Sequence, residues 1–435
     1  MEFISQMGGY IDDVIFGLVT VIIAFLALKL LISFLREWWL DESQAKFVAG
    51  IKYVLLEVFF PKNTEIFPKA MEQVFASLYQ IYSFGIVPEK KWLEGQIEDK
   101  ISAEMVSSKD GIRFFIRINQ KYRPIVESAI FAQYPGTEIL EAVDDYINEL
   151  PKGLPNEEYD IMGADMILGY NSAYPIKTYP YFFGERKYEE QEVDPIANLA
   201  ETMSSLKPNE RIWVQVLIKP AGKKLKDEAK KIIAEKMGKK EEPKKSFLSG
   251  FFQFIVELVQ APFGPYAEQT SAKIEDRPKS LSVSDAEIIK AVENKASKLA
   301  FETIIRIIYT DKKDDFSNSN FRAATSAFQQ FGIQNLNFIR PAKITMTIPG
   351  RFFMPFKARV LLNKKKQIYT NYINRDFIFY TNVQAMYRKC LTPSLMNVEE
   401  LATIFHPPTK RVAAVGLGQV GAKKGTPPSN LPIEQ

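Results

Sequence analysis

Residues 101–118 read ISAEMVSSKDGIRFFIRI, two runs in which apolar and polar residues alternate, joined at Lys109, Asp110 and Gly111. A period of two marks a half-buried strand, and Asp-Gly between two such runs is a strong hairpin signal. Upstream lies a strand-like run, Tyr53 to Phe60, and a helical pattern, Pro68 to Tyr82, whose Met71, Val74, Phe75, Leu78 and Ile81 recur every three or four residues. Downstream come a helix from Arg123 to Tyr134, then Pro135 and Gly136, then a short strand from Glu138 to Ala142. The order β-α-β-β-α-β predicts a ferredoxin-like unit over 41–150.

A second ferredoxin-like α+β unit is predicted over 155–350. Its strands are Asp165 to Tyr170, Ile176 to Phe183, Arg211 to Lys219, Phe301 to Tyr309 and a stretch around Asn335 to Ile348. Its helices are Pro195 to Leu206, Asp285 to Lys298 and Asn320 to Phe331. An insertion at 221–280 interrupts the unit. It opens with KKLKDEAKKIIAEKMGKKEEPKK, ten Lys against five acidic residues, and continues as FLSGFFQFIVELV, Phe247 to Val259. There Ser249, Gly250, Gln253 and Glu257 share one helical face while Phe247, Phe251, Phe252 and Phe254 lie among the apolar remainder. Thirteen residues are too few to span a bilayer. They suit an interfacial membrane contact or a helix on the protein's own core, and both readings stand.

The N-terminal run VIFGLVTVIIAFLALKLLISFL, Val14 to Leu35, is 22 residues long, which at about 1.5 Å per residue gives roughly 33 Å. This predicts a transmembrane anchor over 1–40. Lys29 near its end would reach the headgroups, and Trp38 and Trp39 would form an interfacial belt. A cleaved signal peptide would begin with positive charge and have a shorter apolar core. Glu2, Asp12 and Asp13 precede the run, and Lys29, Arg36 and Lys46 lie at or beyond its far end. The positive-inside rule then predicts a single-pass protein of the bacterial inner membrane with a cytoplasmic body.

The remaining composition limits the chemistry. Charged residues are 25% and aromatics 13%, so the body is globular rather than disordered, and a net charge of +4 is too small to announce a nucleic-acid binder. One cysteine, Cys390, rules out an internal disulfide. With a single histidine, His406, beside it in the count, His/Cys zinc sites and Cys-His pairs are close to excluded. The pair Pro407 and Pro408 makes His406 part of a fixed turn rather than a general base. The stretch RVAAVGLGQVG places Gly416, Gly418 and Gly421 in a G-x-G-x-x-G pattern, but prolines follow where a dinucleotide site needs a helix. No Gly-Lys-Ser/Thr loop occurs, so neither a cofactor nor nucleotide hydrolysis is expected.

One segment, 351–396, merits a binding reading. Arg351, Lys357, Arg359, Lys364, Lys365, Lys366 and Arg375 supply seven cations with no acid between 351 and 375, alongside Phe352, Phe353, Phe356, Tyr369 and Tyr372. Such a mixture can hold a nucleic-acid single strand or an acidic partner. A solvated hairpin with its apolar side chains turned inward is the plainer reading.

Longer phrases carry a family resemblance. EQVFASLYQI (72–81), residues 101–139, DPIANLAETMSSLKPNERIWVQVLIKP (194–220), FQQFGIQNLN (328–337) and NVEELATIFHPPTKRVAAVGLGQVGAKKGTPPSNLP (397–432) resemble the membrane-anchored N-terminal region of conjugation-type, or type IV secretion-type, ATPases of candidate-phyla bacteria. The resemblance implies a tail, 397–435, that leads toward a P-loop motor, although no motor loop is present in this chain. It therefore implies a non-enzymatic, membrane-anchored platform that recruits a ring-forming ATPase, with His406, Pro407, Pro408, Pro427 and Pro428 near the joint. The alternatives are a fragment of the ATPase itself and a nucleic-acid-binding module acting through 351–375. The proline pairs and the glycines predict an extended tail.

Overall fold

The structure, a computed structural model, describes residues 2–61, 68–82, 86–108, 111–183, 194–238, 282–348, 357–377 and 392–408; its described side chains begin at Phe16 and omit Leu18 and Val19. Among the described residues, nine strands form one antiparallel sheet: β1 (Tyr53–Phe59), β2 (Ile101–Ser108), β3 (Gly111–Asn119), β4 (Glu138–Glu141), β5 (Tyr159–Leu168), β6 (Arg211–Pro220), β7 (Ala300–Lys312), β8 (Ile339–Pro341) and β9 (Ser394–Asn397). The order is β4-β1-β3-β2-β6-β7-β5-β8, with β9 pairing β7.

The expectation of two separate ferredoxin-like units is corrected by this pairing. β2 is hydrogen-bonded to β6 from Ile101↔Ile218 to Val106↔Trp213, so the halves share one uninterrupted sheet and a common large core on one of its faces. The predicted strand Ile176–Phe183 is absent. Pro180 cannot donate to a ladder, and Tyr179–Phe182 forms a single helical turn, α4, in the chain order given below. Around 335–348 only β8 is a strand. Beyond it the hydroxyls of Thr345 and Thr347 accept from Asp165 N and Gly163 N, taking the place of backbone acceptors along β5.

The helices are α1 (Glu2–Ala49), α2 (Pro68–Leu78), α3 (Arg123–Gln133), α4 (Tyr179–Phe182), α5 (Ala197–Ser204), α6 (Lys224–Lys236), α7 (Val283–Ser297), α8 (Asn318–Ser326), α9 (Lys357–Ile373) and α10 (Val398–Ile404). One face of the sheet supplies Val54, Met105, Phe114, Val216 and Phe301 to a large core closed by α2, α3, α5, α8 and α10. The other supplies Leu55, Val106, Phe115, Trp213 and Ile308 to a smaller core closed by α9 and by Tyr146, Ile147, Leu150 and Leu154. Each large apolar side chain fully buried here contributes about 1.5–3 kcal/mol relative to exposure. Burial on both faces explains why the middle of β7, IIRIIY (304–309), is apolar at consecutive positions on either side of Arg306 instead of alternating.

The expected transmembrane anchor is also corrected. Among the described residues, no helix is long and apolar enough to cross a membrane. From Thr20 onward, a stretch of about 18 residues, near the shortest that spans, runs to Glu37 and takes in the charges of Lys29, Arg36 and Glu37. This overturns the single-pass anchor and the inner-membrane localisation inferred from it. Trp39 Nε1 donates to Trp92 O at 3.0 Å and the Arg36 guanidinium sits 5.5 Å from the Trp92 ring, so this end of α1 packs on the protein's own 90–94 turn.

Candidate functional site

Four polar side chains interrupt the apolar strands at matching heights. Glu104 on β2 lies opposite Gln215 on β6, Gln215 opposite Arg306 on β7, and Arg306 opposite Asp165 on β5. All four are fully buried. They form a polar row across the sheet, at right angles to the strands, on the face that α9 covers. Gln215 Nε2 donates to Glu104 Oε1 (3.2 Å), Arg306 Nη1 to Gln215 Oε1 (3.3 Å) and Arg306 Nε to Asp165 Oδ1 (2.8 Å).

The row holds α9 by its C-terminus. A helix end leaves carbonyls without intrahelical donors and carries partial negative charge. Here Arg306 donates to Asn371 O (2.7 Å) and Asp376 O (3.2 Å), and Gln215 donates to Tyr372 O (3.3 Å). Arg375, at φ 52°, turns the chain back over the row. Its guanidinium grips Glu104 at 2.7 and 3.1 Å and Asp145 at 2.7 and 3.0 Å. Burial works most strongly against the Arg375 cation, but Glu104, Tyr146 and Asp145 together outweigh it and raise the pKa. Burial likewise works to raise Asp145, yet the neighbouring Arg375 holds it below the ordinary carboxylate value. Lys100 Nζ donates to Arg375 O at 2.7 Å, and burial lowers its pKa to about 8. At the other end Lys365 pairs with Asp160 at 2.6 Å. Between these points Ile368 lies so close to β5 that a Cβ on Gly163 would meet its Cγ1 at 2.8 Å, which leaves room for glycine alone.

The second constellation is the segment 392–408. Of the expected extended tail, 397–435, residues 397–408 are largely buried and folded into the body, and 409–435 lie outside the described residues. β9 extends the sheet beside β7, and Asn397 begins α10 with a capping box in which its side chain accepts from Glu400 N and Glu400 accepts from Asn397 N. Glu400 also ion-pairs with Lys295 of α7 at 2.9 Å, with both side chains buried, and burial lowers the Lys295 pKa. Glu399 and Glu72 of α2 share Lys298. Leu401, Ile404 and Phe405 enter the large core, where Phe405 meets Phe75 and Phe114 edge-on. His406 Nδ1 lies 2.8 Å from Ala402 O and Nε2 lies 3.1 Å from Asp194 Oδ1. Pro407 and Pro408 then pass along β1 and β3, beside Glu57, Phe60 and Arg113.

The residues singled out in the sequence thus fall in different places. Lys365 and Arg375 turn inward as structural cations, while Lys357, Arg359 and Lys366 are exposed; Lys364, half-buried, reaches Lys343 O. Tyr372 is buried and Tyr369 donates to Pro151 O, so neither presents its ring for stacking. His406, Pro407 and Pro408 are buried, and Lys29 and Trp38 are exposed on α1. Phe247, Phe251, Phe252, Phe254, Arg351, Cys390, Gly416, Gly418, Gly421, Pro427 and Pro428 lie outside the described residues. Among the described residues, no group of three or more His, Cys, Asp or Glu side chains is placed to hold a metal ion.

The fold and these two constellations define an α+β protein built on one broad antiparallel sheet, in which buried ion pairs of Glu104, Asp165 and Glu400 help to hold α9 and the 392–408 segment in place. The chain belongs to the family described as Domain of unknown function (DUF8128), whose model matches residues 39–412. No curated protein matches the chain.

Proposed function

We propose that the chain is a non-catalytic docking platform for a P-loop motor ATPase of the secretion or conjugation class. The observation that supports this reading is the anchoring of 392–408. A strand in the sheet, a capped helix in the core and the His406–Asp194 contact fix the position of Pro408 on the body. A partner engaged beyond that point is held in a defined relation to the sheet, which is what a platform must do. The likeness of 397–432 to the segment that leads into such motors names the partner. The buried carboxylates Glu104, Glu400 and Asp165 are each matched to a structural cation, an arrangement suited to rigidity.

The test is reconstitution. Purified chain and a P-loop ATPase from the same cells should co-elute from a sizing column, and the chain alone should not hydrolyse ATP. Turnover by the chain alone, after removal of co-purifying proteins, would remove the non-catalytic reading.

A further inference from the structure

Helix α9 divides its cations by face. Lys365 and Arg375, on or just beyond its inner side, are paired with Asp160, Glu104 and Asp145. Arg359 and Lys366 are exposed and make no ion pair among the described residues. They stand seven positions apart, two helical turns or roughly 10 Å, on one stripe. Leu362, 40% exposed, lies between them at the i+3 position. The helix has no acidic residue to balance them, and its C-terminus is clamped by Arg306 and Gln215. The stripe therefore reads cation, apolar, cation on a helix that cannot easily turn.

We propose that this outer stripe of α9 docks a helical protein segment whose own stripe reads acid, apolar, acid, with carboxylates against Arg359 and Lys366 and an aliphatic side chain against Leu362. Charge complementarity sets the sign of the partner. The apolar centre and the absence of an outward aromatic favour a protein helix over a nucleic-acid strand, because stacking needs exposed rings and Tyr369 and Tyr372 face inward. This docking is separate from the motor joint beyond Pro408 and stands or falls by itself.

The test uses the full chain and a fluorescent helical peptide carrying Glu at positions i and i+7 and Leu at i+3, read by anisotropy at several salt concentrations. Binding should weaken at least tenfold in Arg359→Glu/Lys366→Glu and at least threefold in Leu362→Ser, and should fall with added salt. A peptide with Lys in place of Glu should not bind. All three side chains are solvent-exposed, so circular dichroism should report an unchanged fold. No binding of the acidic peptide, or equal binding by wild type and the double reversal, would overturn the proposal. So would a single-stranded oligonucleotide that bound more tightly than the peptide and was lost with the same reversal, which would assign the stripe to nucleic acid.

Discussion

Arg375 and Glu104, 271 positions apart, meet through two hydrogen bonds of 2.7 and 3.1 Å in the interior beneath α9. The pair joins the end of that helix to the seam between β2 and β6, where the two halves of the sheet meet.

Removing one partner of a buried ion pair strands the other charge. Arg375→Met should therefore lower stability by about 3–5 kcal/mol in urea denaturation. The double variant Arg375→Met/Glu104→Gln should recover at least about 1 kcal/mol of that loss, since the stranded carboxylate is gone. Purely additive losses would mean that the two side chains do not act as a pair.

Lys100 gives a pH signature. Its pKa is lowered from 10.5 to about 8, chiefly by burial. Between those values the unfolded chain holds a proton that the folded chain has released, so stability rises with pH across the window; below about pH 8 both states are protonated and the trend flattens. The wild type should gain roughly 2 kcal/mol over Lys100→Met between pH 7.5 and 9.5. A flat difference between the two proteins would contradict the burial of this ammonium group.

These two sites also show what the sequence could reveal and what it could not. The hairpin, α2, α3 and β7 are legible because their apolar periods are clean. The polar row was on view as four interruptions, Glu104 in SAEMV, Gln215 in WVQVL, Arg306 in IIRII and Asp165 in GADMI. Their alignment depends on register between strands far apart in sequence, which no single run contains. Reading 397–406 as extended tail gave weight to the prolines that follow and missed the Asn397–Glu400 capping box leading to Leu401, Ile404 and Phe405 at helical spacing. By composition the basic stretch forms a single patch, because composition does not say which face of α9 each cation occupies.

His406 links the terminal segment to Asp194, and both ring nitrogens face acceptors. His406→Ala removes both contacts from a buried site and should cost about 2 kcal/mol. The loss should appear as faster proteolysis near Pro408, measured by mass spectrometry of limited digests. Cleavage at the wild-type rate would show that the contact does not hold the segment.

The 392–408 segment is core by its packing. A chain ending at Pro393 should fail to fold cooperatively, because it lacks β9, α10 and the aromatic contacts of Phe405. A chain ending at Pro408 should melt within a few degrees of the full protein in calorimetry. A cooperative, near-native melt from the shorter chain would place these elements outside the core.

The central claim is that the body carries a motor ATPase on the chain beyond Pro408. The most direct measurement compares the full protein with the protein ending at Pro408 as baits, with captured proteins identified by mass spectrometry. The account predicts that the full protein retains a P-loop ATPase and that the shortened one, although folded, does not. Equal capture by both baits, or capture by neither, would contradict it.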